Sequence, residues 1–234
     1  MNRTSNYQDI LKTIAIICMI IDHLGAYIFP ETLILRSIGR YAFPIFCFFA
    51  GFNYRGNPNY KILIYGTLFY MFEVVAIFWQ IIEANILISI FLGQAYLKLF
   101  EKHFTNFWKS YTHIIILACL WPVTHMFIEY GTLAIALIIL GKLARQDQQK
   151  VFLPAFVVSY LSLIHMIALY YSLFNIWEML IAVSIMLGLF FSLTLKNHFK
   201  SNNLKLVLIS QNSMNIYCFH FAIILLIWRY YIIG

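Results

Sequence analysis

Long apolar runs, separated by short polar punctuation, fill almost the whole chain. Each run approaches the roughly 20 residues that a membrane-crossing helix needs. Runs such as Ile14-Ala15-Ile16-Ile17-Cys18-Met19-Ile20-Ile21 are apolar on every face, which excludes the alternating pattern of a transmembrane β-barrel. The pattern predicts spans over 10–29, 34–54, 61–80, 84–100, 111–128, 130–145, 151–172, 174–195 and 206–232. The fourth to sixth are short enough to be tilted or re-entrant. The predicted fold is all-α: a polytopic transmembrane helix bundle of about nine spans.

Charge gives this pattern a direction. Basic residues gather at alternate connections: Arg55 and Lys61, then Lys98, Lys102 and Lys109, then Lys142, Arg145 and Lys150, then Lys196, Lys200 and Lys205. The intervening turns carry Glu31, Glu83, Glu129 and Glu178, with Arg36 the one base nearby. An excess of lysine and arginine marks the cytoplasmic side, so the N-terminus is expected inside and the C-terminus outside. The net charge of +7 is then topological, and no nucleic-acid footprint is expected. At 62% hydrophobic and 11% charged residues the chain is far from a soluble domain, where about a quarter would be charged. Arg3 and Lys12 ahead of an apolar stretch imitate a signal peptide, but Asp22-His23 interrupts the stretch and no small-residue cleavage site follows, so a retained first span is expected. With no linker or soluble segment of domain size, 1–234 reads as a single membrane domain. The four cysteines stand singly in apolar segments and imply neither disulfides nor zinc.

The chemistry must therefore come from side chains within the bundle or at its rims. Ionisable groups inside a membrane segment are costly and mark function. Asp22 and His23 lie in the first run, and a histidine with an unperturbed pKa of about 6.5 is a natural proton carrier. Being adjacent on a helix, the two point about 100° apart and cannot face one partner. Arg36 and Arg40 share a face of the second run, where Pro44 withholds an N–H from the Arg40 carbonyl and a kink is expected. These cations could bind a carboxylate, a phosphate or a developing oxyanion, or simply reach headgroups and Asp22. Gly51 to Pro58 closes the run with Asn53 and Arg55, and with Lys61 it offers positive charge to a phosphorylated donor. Asn85, Tyr130 and His220 are further polar positions, while Glu83 and Glu129 at outer span ends read as solvated. His113, His125 and His165 read as hydrogen-bonded core residues, and His103 and His198 belong to basic loops. No His-x-x-x-His or His-Glu-x-x-His spacing exists, so no metal is indicated.

One block stands out: Gln8 to His23, then Gly39-Arg40-Tyr41-Ala42-Phe43-Pro44-Ile45-Phe46, then Gly51-Phe52-Asn53. It closely resembles the TraX family, and the likeness continues at Glu83-Ala84-Asn85-Ile86-Leu87, Tyr130-Gly131 and Tyr217-Cys218-Phe219-His220. Phe221 follows where the family pattern leads to leucine. The resemblance implies a multi-pass enzyme of the bacterial inner membrane. It would move an acetyl group from cytoplasmic acetyl-CoA to the N-terminal amine of a pilin subunit or another exported acceptor. The matching positions are Lys12, Asp22, His23, Arg40, Pro44, Gly51, Asn53, Asn85, Tyr130, Gly131 and His220.

On that basis His23 is expected to act as general base or acetyl carrier, with Asp22 fixing its tautomer or pairing with Arg40. Arg40, with Asn85 or Tyr130, would meet the oxyanion, Arg36 would hold substrate, and His220 would be a second proton relay. Arg55, Lys61, Asn53 and Lys12 would hold the coenzyme phosphates. O-acetylation of a surface glycan is an alternative acceptor chemistry. The same residues would also suit a proton-coupled transporter of a small anion, with Pro44 as hinge, or an inactive membrane partner of pilin.

Overall fold

The computed structural model describes residues 5–76, 84–124, 127–146, 200–201 and 204–230. The spans expected over 151–172 and 174–195, together with Glu83, His125, Lys150, His165, Glu178, Lys196 and His198, lie outside the described residues. Among the described residues the fold is all-α, apart from a two-residue antiparallel ladder. The helices are α1 (Tyr7–Tyr27), α2 (Leu33–Gly39), α3 (Ala42–Phe52), α4 (Tyr60–Ala76), α5 (Ile86–Leu99), α6 (Phe107–Thr124), α7 (Gly131–Gln146), α8 (Leu204–Gln211) and α9 (Ser213–Trp228). A short 3-10 turn, His103–Thr105, precedes α6. Residues 1–46 with 180–234 form one compact unit, and residues 47–179 form a second.

In the first unit α1 is the central element and packs against α2, α8 and α9. It is the one described helix that is long and apolar enough to cross a membrane. Its start is tied down by Ser5 and Asn6, which pair with Ser201 and Lys200. Two spans that hydropathy joined are each divided. The stretch 34–54 is not one kinked helix but α2 and α3, separated at Arg40-Tyr41. The α2 backbone closes with Arg40 N–H donating to the Arg36 carbonyl and Tyr41 N–H to that of Ile38. Pro44 then sits in the first turn of α3, where its missing N–H breaks no helical bond. The stretch 206–232 is likewise α8 and α9, parted at Asn212, whose side-chain amide donates to the Leu208 carbonyl at 2.9 Å.

The second unit is built around α7, whose Ala134, Ala136, Ile138, Ile139 and Leu140 have no exposed surface. A helix apolar on all sides is a core helix. Close backbone approach fits it there: a Cβ on Gly51 would strike the Ile138 carbonyl, and one on Gly141 would strike that of Phe48. α5 packs against α4 and α7, and α6 against α7. By contrast, α4 turns Tyr60, Ile64, Leu68, Met71 and Val75 outward, an apolar stripe at helical spacing. A large outward apolar face fits contact with lipid and not with water.

The Asn85 side chain holds the start of α5 by two hydrogen bonds. The Asn85 side-chain oxygen accepts from Ile88 N–H at 3.4 Å, and its amide donates to the Gly66 carbonyl at 3.0 Å. Replacing Asn85 by alanine removes this cap and leaves a buried carbonyl without its donor. A loss of about 2 kcal/mol is expected, read as a lowered midpoint in detergent thermal unfolding.

Candidate active site

In the first unit the adjacent residues Asp22 and His23 are sent to different neighbours by the turn of α1, as their 100° separation requires. Asp22 faces α2 and is only 7% exposed. Arg36 Nη1 donates to Asp22 Oδ2 at 2.9 Å and to the Asp22 backbone carbonyl at 3.3 Å. Arg40 Nε stands 4.0 Å from Oδ1, which accepts no hydrogen bond among the described residues. The approach depends on Gly39, since a Cβ there would strike the Cα and Cβ of Asp22. A second glycine on the α1 side repeats the device: a Cβ on Gly25 would lie 2.8 Å from Leu35 Cβ.

His23 faces α9. Its Nδ1 lies 2.8 Å from His220 Nε2, and His220 Nδ1 donates to the Ile216 carbonyl at 2.6 Å. The His23 ring stacks on Phe221 at 4.1 Å between centroids and meets the edge of Tyr217 at 5.9 Å. Phe221, the departure from the expected leucine, thus lies flat against the candidate base. The ring is held by aromatic packing on one side and a hydrogen bond on the other.

The structure therefore brings together Asp22, His23, Arg36, Arg40 and His220. It reassigns one expected contact: the partner of the His23 ring nitrogen is His220, whereas Asp22 is engaged by the arginines. Arg36, expected to hold substrate, is the closest partner of Asp22, while the Arg40 side chain keeps a third of its surface exposed. Lys12 also belongs to this unit, half-buried on α1, eleven residues or about 16 Å before His23 along the axis.

The other expected residues belong to the second unit. Asn53 and Arg55 are exposed at the end of α3, and Lys61 is exposed in the first turn of α4. Asn53 donates to the Phe49 carbonyl at 3.0 Å, and Arg145 Nη1 donates to the carbonyls of Phe52 and Tyr54. Asn85 joins a buried polar cluster. Its amide is 3.4 Å from Glu73 Oε2, Ile86 N–H donates to Glu129 Oε2 at 2.8 Å, and Ser89 Oγ donates to the Glu129 carbonyl at 2.8 Å. Glu129 is thus a structural acceptor and not merely a solvated end. Tyr130 adopts φ 62°, a left-handed conformation that is rare for a bulky residue, and Gly131 follows at φ 48°. His113 bonds both Tyr96 OH at 2.6 Å and His103 at 3.0 Å, so His103 is more than a loop residue. Among the described residues no three His, Cys, Asp or Glu side chains gather as a metal site would require.

Sequence reasoning passed over Glu73, Gly39 and the Ile216 carbonyl. Glu73 carried the same signal as Asp22, a carboxylate inside an apolar run. Gly39, between two arginines, was legible as a point of close approach. The carbonyl had no signal at all.

The model for the family described as TraX protein matches residues 7–228. An uncharacterized protein of Rickettsia prowazekii (strain Madrid E) is 36% identical over 236 residues, covering 98% of this chain and 94% of that protein. No solved structure matches the chain.

Removing one partner of a buried ion pair leaves the other charge uncompensated. Arg36→Ala is expected to destabilise the first unit by roughly 3 kcal/mol, and Arg40→Ala by less, because its contact is longer and more exposed. Thermal unfolding of the purified variants in detergent measures both. Gly39→Ala should show the same defect with both arginines still present.

Proposed function

We propose a function from one settled premise: the chain belongs to the TraX family. It is a multi-pass acetyltransferase of the bacterial inner membrane, with about nine spans. It moves an acetyl group from cytoplasmic acetyl-CoA to the N-terminal amine of a pilin subunit. The observation that carries this reading is an imidazole held in a fixed orientation by His220 and Phe221, on the helix whose preceding residue is bound to two guanidinium groups.

Acyl transfer from a thioester needs a base for the attacking nitrogen, a donor for the tetrahedral oxyanion and a grip on the coenzyme. His23 takes the proton as the amine nitrogen bonds to the thioester carbonyl carbon. Arg40, oriented by Asp22 and partly exposed, meets the oxyanion. The carbon–sulfur bond then breaks, and the thiolate receives the proton from His23. Lys12 is assigned to the coenzyme phosphates, because its separation from His23 along α1 is comparable with the length of an extended pantetheine arm. Arg36 keeps Asp22 in place and so acts through Arg40.

A second reading is supported by the same imidazole pair, since two hydrogen-bonded histidines also suit proton movement through a transporter. Coenzyme A discriminates. The enzyme should be stabilised thermally by coenzyme A alone, whereas a transporter should respond to its small anion without it.

The direct test uses purified protein, acetyl-CoA and a synthetic pilin N-terminal peptide, with product read by mass spectrometry. His23→Gln is expected to lower transfer at least about 100-fold with an unchanged unfolding midpoint. Full transfer by that variant would remove His23 from the chemistry. Acetyl found on a glycan hydroxyl and not on the peptide would redirect the acceptor.

A further inference from the structure

We propose that His220 is a positioning residue that sets the tautomer of His23, leaving His23 Nε2 bare toward the acceptor and anchoring the relay on the Ile216 carbonyl. This rests on the acetyl-transfer reading above for its role, but its geometry stands by itself.

Two contacts decide where the hydrogens lie. A carbonyl oxygen only accepts, so His220 Nδ1, 2.6 Å from the Ile216 carbonyl, carries a hydrogen. In a neutral imidazole the other nitrogen is then without one. That bare Nε2 lies 2.8 Å from His23 Nδ1, and two bare nitrogens cannot be bonded at that distance. His23 Nδ1 therefore donates, and the lone pair of His23 is on Nε2. Nε2 has no hydrogen-bond partner among the described residues.

The ring geometry agrees. The centroids are 5.0 Å apart and the planes differ by 11°. A face-to-face stack would bring parallel rings closer. Instead the separation equals the 2.8 Å bond plus two ring radii, so the rings lie nearly edge to edge in one plane. Phe221 on the face of His23 and Tyr217 at its edge hold that plane. The arrangement is a triad in form, with imidazole and backbone carbonyl in the place a carboxylate takes in the serine hydrolases.

The consequence for the reaction is specific. When the nitrogen–carbon bond forms, the amine proton passes to His23 Nε2. The Nδ1 hydrogen of His23 can shift to His220 Nε2, so the positive charge spreads over two rings and ends beside the Ile216 oxygen. When the carbon–sulfur bond breaks, the thiolate takes the proton from His23 Nε2. The shared hydrogen then returns to His23 Nδ1, and both rings are neutral as at the start.

The test is nitrogen-15 NMR of the full-length, histidine-labelled protein in detergent near about pH 8, above the ordinary histidine range. His23 is assigned by the loss of its signals in His23→Gln. The expected wild-type spectrum shows His23 protonated at Nδ1 and bare at Nε2. In His220→Phe the His23 tautomer ratio should move toward the opposite form. In the same variant kcat for acetyl transfer should fall about 100-fold, with KM for acetyl-CoA within about twofold. His220→Gln, whose carbonyl can accept from Nδ1, should regain most of the rate and guards against a folding defect in His220→Phe. A bare Nδ1 on wild-type His23 overturns the proposal, and so does full kcat in His220→Phe. A lost rate with His23 nitrogen signals unchanged also overturns it, since that marks a merely structural role. If no acetyl transfer occurs in the wild type but the tautomer shifts as described, the acetyltransferase reading falls while the tautomer assignment is supported.

Discussion

The carboxylate of Asp22, almost out of solvent and bound to Arg36 and Arg40, is the constraint on which the first unit depends. Removing a carboxylate from water costs several kcal/mol unless opposite charge and hydrogen bonds replace the lost solvation. Here the replacement fixes the geometry around it. Both guanidinium groups must approach one side chain, so α2 must touch α1, and only a glycine at position 39 lets the backbones come that close. The chain leaves α2 immediately after Arg40. Because Asp22 is committed to α2, the next residue is turned about 100° away, toward α9. One turn of α1 therefore ties together two neighbours, with a charged contact on one side and an imidazole contact on the other.

Much of this was legible in the residues. An acid and a histidine inside an apolar run announce themselves as costly, and two arginines one turn apart announce a shared target. What the sequence could not separate was who pairs with whom. Asp22 had two candidate partners, His23 and the arginines, and the spacing of residues 22, 36 and 40 fits either. Hydropathy also merged α2 with α3 and α8 with α9, because apolar composition persists across a break whose cause is local hydrogen bonding. At Pro44 the expectation was a kink in a continuous helix. The chain instead ends one helix at Gly39 and begins another at Ala42, two residues before the proline, which therefore needs no compensating partner. Glu73 escaped notice because it has no ionisable neighbour such as His23 to frame it, although its buried carboxylate follows the same physics as Asp22.

The second unit shows how a family resemblance can point to residues without separating chemistry from architecture. Asn85 and Tyr130 were marked by the likeness as substrate contacts. In the structure Asn85 caps α5, and Glu129, next to Tyr130, supplies an acceptor to the same helix start. Tyr130 and Gly131 both take positive φ as the chain turns into α7. A short parallel bridge between Ala84 and Ile128 holds the two connections side by side. The exposed Arg55 and Lys61 have no comparable structural task in the described residues, and positive charge at a rim remains open to an anionic group.

The same accounting bears on why a paired imidazole would serve where a hydrolase uses a carboxylate. In the first unit the Asp22 carboxylate, next to His23 in sequence, is already shared by two cations, and a second buried acid would add a further desolvation cost. A neutral ring hydrogen-bonded at both nitrogens adds far less, yet it still orients His23 and can share a proton with it. The proposed reaction asks little more. Its leaving group is a thiolate, far less basic than an amide or alkoxide ion, so it departs without full protonation and the base need only collect a proton from nitrogen and release it to sulfur. Arg40, a third exposed and 4.0 Å from a carboxylate oxygen of Asp22, is a cation near that base and suits a step in which negative charge appears first on oxygen and then on sulfur.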